Sequence, residues 1–224
     1  MSKAKKYAAY IHEQCDQIHT HLSAFCSESN PEHLHQLRLC IKKLKALCGL
    51  PGQRKKRRNA LSRLAPLFQL CGEIRKNHLL LLPAGDEKEI LCLAWPHWAF
   101  QIACTKSELA GYRPDLRTET VLKTVKRLLA KAEKCWNAST FSWHAARKNC
   151  KSALYLMAWL PAKMKRGHRL KRTPLKAIAA ALGDWHDWQE IPVQLRKTGW
   201  KDHNKRLEEQ VRRLANSGGF SSSL

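Results

Sequence analysis

Carboxylates are scarce in this chain, and over two long stretches they are missing. The 224 residues hold 41 Lys and Arg against 18 Asp and Glu, a formal net charge of +23. No Asp or Glu occurs from His33 to Gly72 or from Lys134 to Gly183, although those windows carry 10 and 11 Lys plus Arg. An ordinary solvated helix face mixes signs, because i, i+4 partners of opposite charge support it. A single-sign surface repels itself unless something anionic answers it, which favours a polyanion partner over a neutral small substrate: nucleic acid, an acidic membrane surface or a phosphate polymer.

Other absences narrow the class further. The nine cysteines include no Cys-x-x-Cys pair and fall mostly at apolar positions of helical patterns. They read as reduced, buried small hydrophobes, and no zinc site is expected of them. No Gly-x-x-x-x-Gly-Lys loop is present to cradle a nucleotide phosphate. The longest mostly apolar stretch, Ile90 to Cys104, is interrupted by Pro96, His97 and Gln101 and is too short to span a bilayer. Met1 to Lys6 is basic, but Glu13 and Asp16 interrupt the apolar core that a secretion signal would need. The expectation is a cytoplasmic protein with no membrane insertion, no metal and no cofactor.

Hydrophobic residues make up 44 % of the chain, enough for a buried core and against wholesale disorder. Their periodicity is 3.5 to 3.6 almost throughout, which predicts an all-α fold. Pro, Gly and polar punctuation predicts helices at 3–27, 31–49, 54–82, 86–109, 115–137, 141–160, 172–197 and 201–216. The Ser/Gly-rich end, 217–224, reads as a frayed tail.

The chain also resembles itself. His35-x-x-Arg38-x-x-x-Lys42 recurs as His144-x-x-Arg147-x-x-x-Lys151, displaced by 109 residues. Leu50-Pro51 answers Leu160-Pro161, and Cys71-Gly72-Glu73 answers Leu182-Gly183-Asp184. The natural reading is one domain of two repeats, about 3–110 and 113–216, forming two antiparallel four-helix units about a pseudo-twofold axis.

Each repeated helix has two faces. Leu34, Leu37, Ile41, Leu44 and Cys48 form an apolar stripe, and His35, Arg38, Lys42 and Lys45 repeat it one residue later, about 100° round the helix. In the second copy Trp143, Ala146, Cys150, Ala153, Met157 and Leu160 make the apolar stripe, with His144, Arg147, Lys148, Lys151 and Tyr155 beside it. The plain alternative is a solvated face of an amphipathic helix. The duplication and the missing carboxylates favour an anion-binding surface instead.

These motifs resemble the CHAD family, the conserved histidine α-helical domain, over most of the chain. The resemblance rests on His35, Arg38, Lys42, Lys43 and Lys45, on His144, Arg147, Lys148, Lys151 and Tyr155, and on Leu182-Gly183-Asp184-Trp185-His186-Asp187. The pattern departs from the family at Ser152 and Leu154, and at Lys76 and His78, where an acidic pair is expected after Arg75. The resemblance implies a helical bundle with a basic central cavity or groove that binds inorganic polyphosphate and can localise to polyphosphate granules. It implies a binding module and no catalytic residues.

The chemistry suits that ligand. A phosphate chain between two facing basic stripes would meet successive donors and release counterions. Arg38 and Arg147 offer planar forks, the lysines offer mobile point charges and Tyr155 a hydroxyl, while His35 and His144 beside phosphate favour the doubly protonated form. Each histidine has a plainer role, as a neutral residue bonded to a backbone carbonyl. Arg54-Lys55-Lys56-Arg57-Arg58, a dense basic run between helices, reads either as an outer landing site for the chain or as a solvated loop.

Asp184 and Asp187 share a helix side and suit ion pairing to a neighbouring helix more than the alternative, a metal held with His186, while Gly183 suits close helix packing. The alternatives are RNA or DNA binding through the same charge, or metal-dependent polyphosphate or triphosphate hydrolysis. Few aromatics interleave with the stripes, which weakens base stacking. Hydrolysis is weakened because Glu87-Lys88-Glu89-Ile90 continues into Leu91 and does not complete the triphosphatase Glu-x-Glu-x-Lys pattern.

Overall fold

The computed structural model describes residues 3–52, 54–79, 86–111, 114–137, 142–167, 170, 172–190, 206, 209, 210 and 213. Among them the regular structure is helical throughout. The chain divides into two compact units, Met1–Leu116 and Arg117–Leu224. No helix among the described residues is long and apolar enough to cross a membrane.

The first unit contains α1 (Lys3–Glu28), α2 (Pro31–Leu47), α3 (Arg54–Arg63), α4 (Ala65–Leu79), α5 (Glu87–Leu93) and α6 (Trp95–Ala110). The α1–α2 corner is built from local chemistry. Ser29 takes the left-handed conformation (φ 58°) and its N–H bonds to the Phe25 carbonyl at 2.8 Å. The Asn30 side chain then accepts from the Glu32 N–H at 2.9 Å, and Pro31, with no N–H to satisfy, opens the helix. α1 contributes Tyr7, Ile11, Cys15, Ile18, Leu22 and Phe25 to the core, and α2 packs against both α1 and α4.

Leu34, Leu37, Ile41 and Leu44 of α2 and Cys48 at its C-cap are each 0 % exposed, so the apolar stripe is the packed face. At the far side α6 packs on α1 and α3. Arg63 reaches Glu108 (Nη2–Oε1 2.7 Å), Thr105 donates to the Ala60 carbonyl, and Lys106 pairs with Asp16 at 2.7 Å.

The second unit contains α7 (Thr118–Asn137), α8 (Trp143–Met157), α9 (Ala162–Gly167) and α10 (Arg172–Glu190). α8 packs against both α7 and α10. It brings Trp143, Ala146, Cys150, Ala153 and Met157 against a core that includes Val125 and Leu129 of α7 and Leu175, Ile178 and Leu182 of α10.

Several boundaries differ from the periodicity. The helix expected over 54–82 is two, broken at Leu64, because Pro66 cannot donate to the Ser62 carbonyl and its ring crowds that turn. The helix expected over 86–109 breaks at Ala94 for the same reason, and Pro96 sits in the first turn of α6. Among its described residues the first unit therefore has six helices, not four. Residues 162–167 form a helix where a connection is expected, since Pro161 stops α8 but suits the entry to α9.

Arg54-Lys55-Lys56-Arg57-Arg58 opens α3 and is not a loop between helices, although the side chains of that run lie outside the described residues. Also outside them lie 191–197 of the expected seventh helix, most of the expected 201–216 helix, the 217–224 tail, and the side chains of Trp185, His186 and Asp187. All nine cysteines are free thiols, five of them buried. Burial pushes Cys71 and Cys150 up to about 12, so both stay neutral at physiological pH.

Candidate functional site

The basic stripe of α2 runs along the edge of the core face. His35, Arg38, Lys42, Lys43 and Lys45 are all half-buried. Arg38 is the best defined of them. Its guanidinium carbon lies 3.9 Å from the centroid of the Phe68 ring on α4, and Nη1 donates to the Phe68 carbonyl oxygen.

One turn further along α4, Gly72 leaves the space the guanidinium fills. A β-carbon added there would lie 3.0 Å from Arg38 Cζ and 3.3 Å from Nη2. Phe68 and Gly72 are therefore two halves of one seat, made by their i, i+4 spacing. Burial lowers the Arg38 pKa from its ordinary value. Cys71 and Glu73 oppose that shift, and Arg75 adds to it.

The same ring gathers the lysines. Lys45 Nζ lies 4.1 Å and Lys42 Nζ 5.9 Å from the Phe68 centroid. Three cations thus share one aromatic ring, whose negative face offsets part of their repulsion. Lys43 belongs elsewhere. It is 100° round the helix from Lys42, and its charge acts on His21 of α1 and on Cys40.

The stripe of α8 has the same plan with a different backing. His144 and Lys148 are exposed, while Arg147, Lys151 and Tyr155 are half-buried. Arg147 lies over Gly183 of α10: a β-carbon there would sit 3.5 Å from Nη2, 3.6 Å from Nε and 3.8 Å from Cζ. What approaches Gly183 closely is thus an arginine side chain. Arg147 Nε is buried and, among the described residues, has no hydrogen-bond partner. The residue four before Gly183, where α4 has Phe68, is the buried Ala179. Leu154, at one of the departures from the CHAD pattern, is 9 % exposed and belongs to the core. Asp184 is exposed.

The sequence motif therefore leads to the cations but not to what holds them. Phe68 looks like one more core aromatic in the sequence, and only the packing of α4 on α2 makes it the ring under the ridge. The aligned glycines are the one readable signal, since each occupies the position where the duplicated arginine needs room.

The two seats respond differently to alanine. Replacing a helix-interior glycine by alanine gains up to about 1 kcal/mol of helix propensity. At Gly183 the added methyl makes ordinary contact with Arg147, so Gly183→Ala is expected to raise Tm by about 2–4 °C. At Gly72 the methyl meets the guanidinium, and Arg38 must leave the Phe68 face. Gly72→Ala is expected to gain less Tm and to weaken anion binding. Thermal unfolding of the two variants checks this, and a larger gain at Gly72 would refute the seat.

No family model matches this sequence, and no curated protein or solved structure matches it either.

Proposed function

We propose that this protein is a CHAD-like, non-catalytic binder of inorganic polyphosphate that uses the His-x-x-Arg helices α2 and α8. The observation carrying the reading is the repeated arginine seat. In each unit the arginine of the motif rests against a glycine of a later helix, Arg38 on Gly72 and Arg147 on Gly183.

Such a seat holds a guanidinium at the edge of the core and restrains its rotamers, so less entropy is lost when phosphate oxygens bind. His35, Lys42 and Lys45 in one unit, and His144, Lys148, Lys151 and Tyr155 in the other, extend each seat into a ridge. Lys43, off the line of the ridge, adds to the field. A phosphate polymer offers many linked charges, so the several cations of one ridge can engage successive phosphates of one chain. The ligand carries charge at every phosphate and presents no base edge to read, which suits cations on an apolar scaffold.

The same charge supports RNA or DNA binding as the second reading. Phe68 argues against base stacking as its basis, because cations already occupy the surroundings of its ring. Competition separates the two. Polyphosphate is expected to displace a labelled RNA at no more than about one tenth of the RNA's phosphate-equivalent concentration, with affinity falling steeply as salt rises. Equal displacement would favour a general polyanion surface. Phosphate released from polyphosphate with magnesium or manganese would establish hydrolysis instead.

A further inference from the structure

We propose that Cys26 of α1 and Cys92 of α5 form a reversible redox pair, oxidised by a low-molecular-weight disulfide such as oxidised glutathione to an internal disulfide that fastens α1 to α5. The pair lies outside both basic stripes and does not rest on the polyphosphate reading.

The contact between the two thiols carries the inference. Cys26 lies in the last turn of α1 and Cys92 in the last turn of α5, two helices that pack against each other. There the Cys26 thiol is hydrogen-bonded to that of Cys92. Such a bond already brings two sulfurs into contact. Closing them to a covalent bond of about 2.05 Å is then a small adjustment of two side chains on packed helices.

Access singles out the same pair. Cys26 and Cys92 are free thiols and half-buried, whereas Cys15, Cys40, Cys48, Cys71 and Cys150 are buried. Cys71 of α4 is near enough for the charge of Cys26 to act on it, but it has no exposed surface. An oxidant arriving from solvent therefore reaches Cys26 and Cys92 and not this neighbour. Cys104 and Cys135, also half-buried, give the comparison: their effects on Arg63 and Cys150 are effects of charge, not of a thiol bond.

The exchange balances with that oxidant. Burial and the bond to Cys92 keep the proton on Cys26 in the reduced pair, while the charge of Lys88, one turn before Cys92, acts against them. Cys92 is thus the first attacker: as its thiolate it attacks one sulfur of the oxidant and releases one thiol from it. Cys26 then gives its proton to solvent, and its sulfur attacks Cys92 Sγ and releases the second thiol. The pair loses two protons and two electrons, and one disulfide is reduced to two thiols. The closed loop contains α2, α3 and α4, so the bond restricts the unfolded chain of the first unit. Where glutathione keeps thiols reduced, a bond of this kind is transient.

Non-reducing peptide mapping of the full chain, first reduced and then exposed to oxidised glutathione, tests the pair. The expected product is a cross-linked Cys26–Cys92 peptide, lighter by two hydrogen atoms than its two parts. Tm is expected to rise by roughly 5–10 °C, and dithiothreitol should reverse both changes. Cys104→Ser should behave in the same way. Cys26→Ser and Cys92→Ser, with the helicity of the native chain, should instead carry glutathione on the remaining thiol of the pair and gain no Tm. Glutathione adducts on Cys26 and Cys92 of the native chain without the internal bond would overturn the proposal. So would a cross-link that maps to other cysteines, or a Tm rise of the same size in both serine variants.

Discussion

Replacing Arg38, Lys42, Arg147 and Lys151 together by alanine is expected to reduce polyphosphate affinity by at least about 100-fold while the far-UV circular dichroism stays helical. Hydrogen bonds to charged groups contribute about 1.5–3 kcal/mol each, so losing even two phosphate contacts of this kind exceeds that factor. The salt dependence should change in parallel. For a single-stranded polyanion each lost contact lowers the slope of log K against log salt by about 0.7, or roughly 3 for four contacts.

The fold should survive, because all four residues are half-buried and none belongs to the apolar stripes. A charge-matched control separates a site from diffuse attraction. Lys123, Arg127, Lys131 and Lys134 of α7 are all exposed, and changing them to alanine removes the same charge from residues outside the two stripes. Equal losses in the two quadruple variants would mean that net charge alone binds the polymer.

How much of this is legible in the sequence depends on what each feature needs. The apolar stripe of α2 is legible because burial imposes a 3-4 spacing that little else produces, and every residue the spacing selects is buried, with Cys40, Ala46 and Leu47 beside them. The ridge follows from it by a rotation of one residue. The breaks at Leu64 and Ala94 are harder to read. A proline two residues into a new helix looks, in sequence, like a proline kinking a long one, and only the chain direction after the turn distinguishes them.

The seat of Arg38 is less legible still. Periodicity shows which face of α2 is basic, but it says nothing about which side chain of α4 lies beneath. Phe68 is therefore invisible, and Gly72 shows only through its repetition at Gly183. The contact of His21 with His33, whose Nδ1 atoms lie 3.3 Å apart, is hidden for a similar reason, since the two rings stand on different helices.

Ile41 and Lys42, neighbours in sequence, give the sharpest test of the two-face reading. Ile41 is 0 % exposed in the core that α2 shares with α1 and α4. Truncating it to alanine removes three buried carbons and leaves a cavity, a change that costs about 2–5 kcal/mol. Against a total stability of roughly 5–15 kcal/mol, that is a Tm loss on the order of 10 °C. Polyphosphate binding below the new transition should remain, because the ridge lies about 100° round the helix from Ile41.

Lys42→Ala should do the reverse. Its Nζ is 5.9 Å from the Phe68 centroid, a distance at which a cation–π contact contributes about 1 kcal/mol or less. Tm should therefore move by no more than about 4 °C, while polyphosphate affinity falls about tenfold. Scanning calorimetry and a binding titration on the two variants read both quantities. Should Lys42→Ala destabilise as much as Ile41→Ala without weakening binding, the cation would be part of the structural core and α2 would carry no ligand face. The 100° between adjacent residues of a helix is what allows one substitution to act on folding and its neighbour on binding.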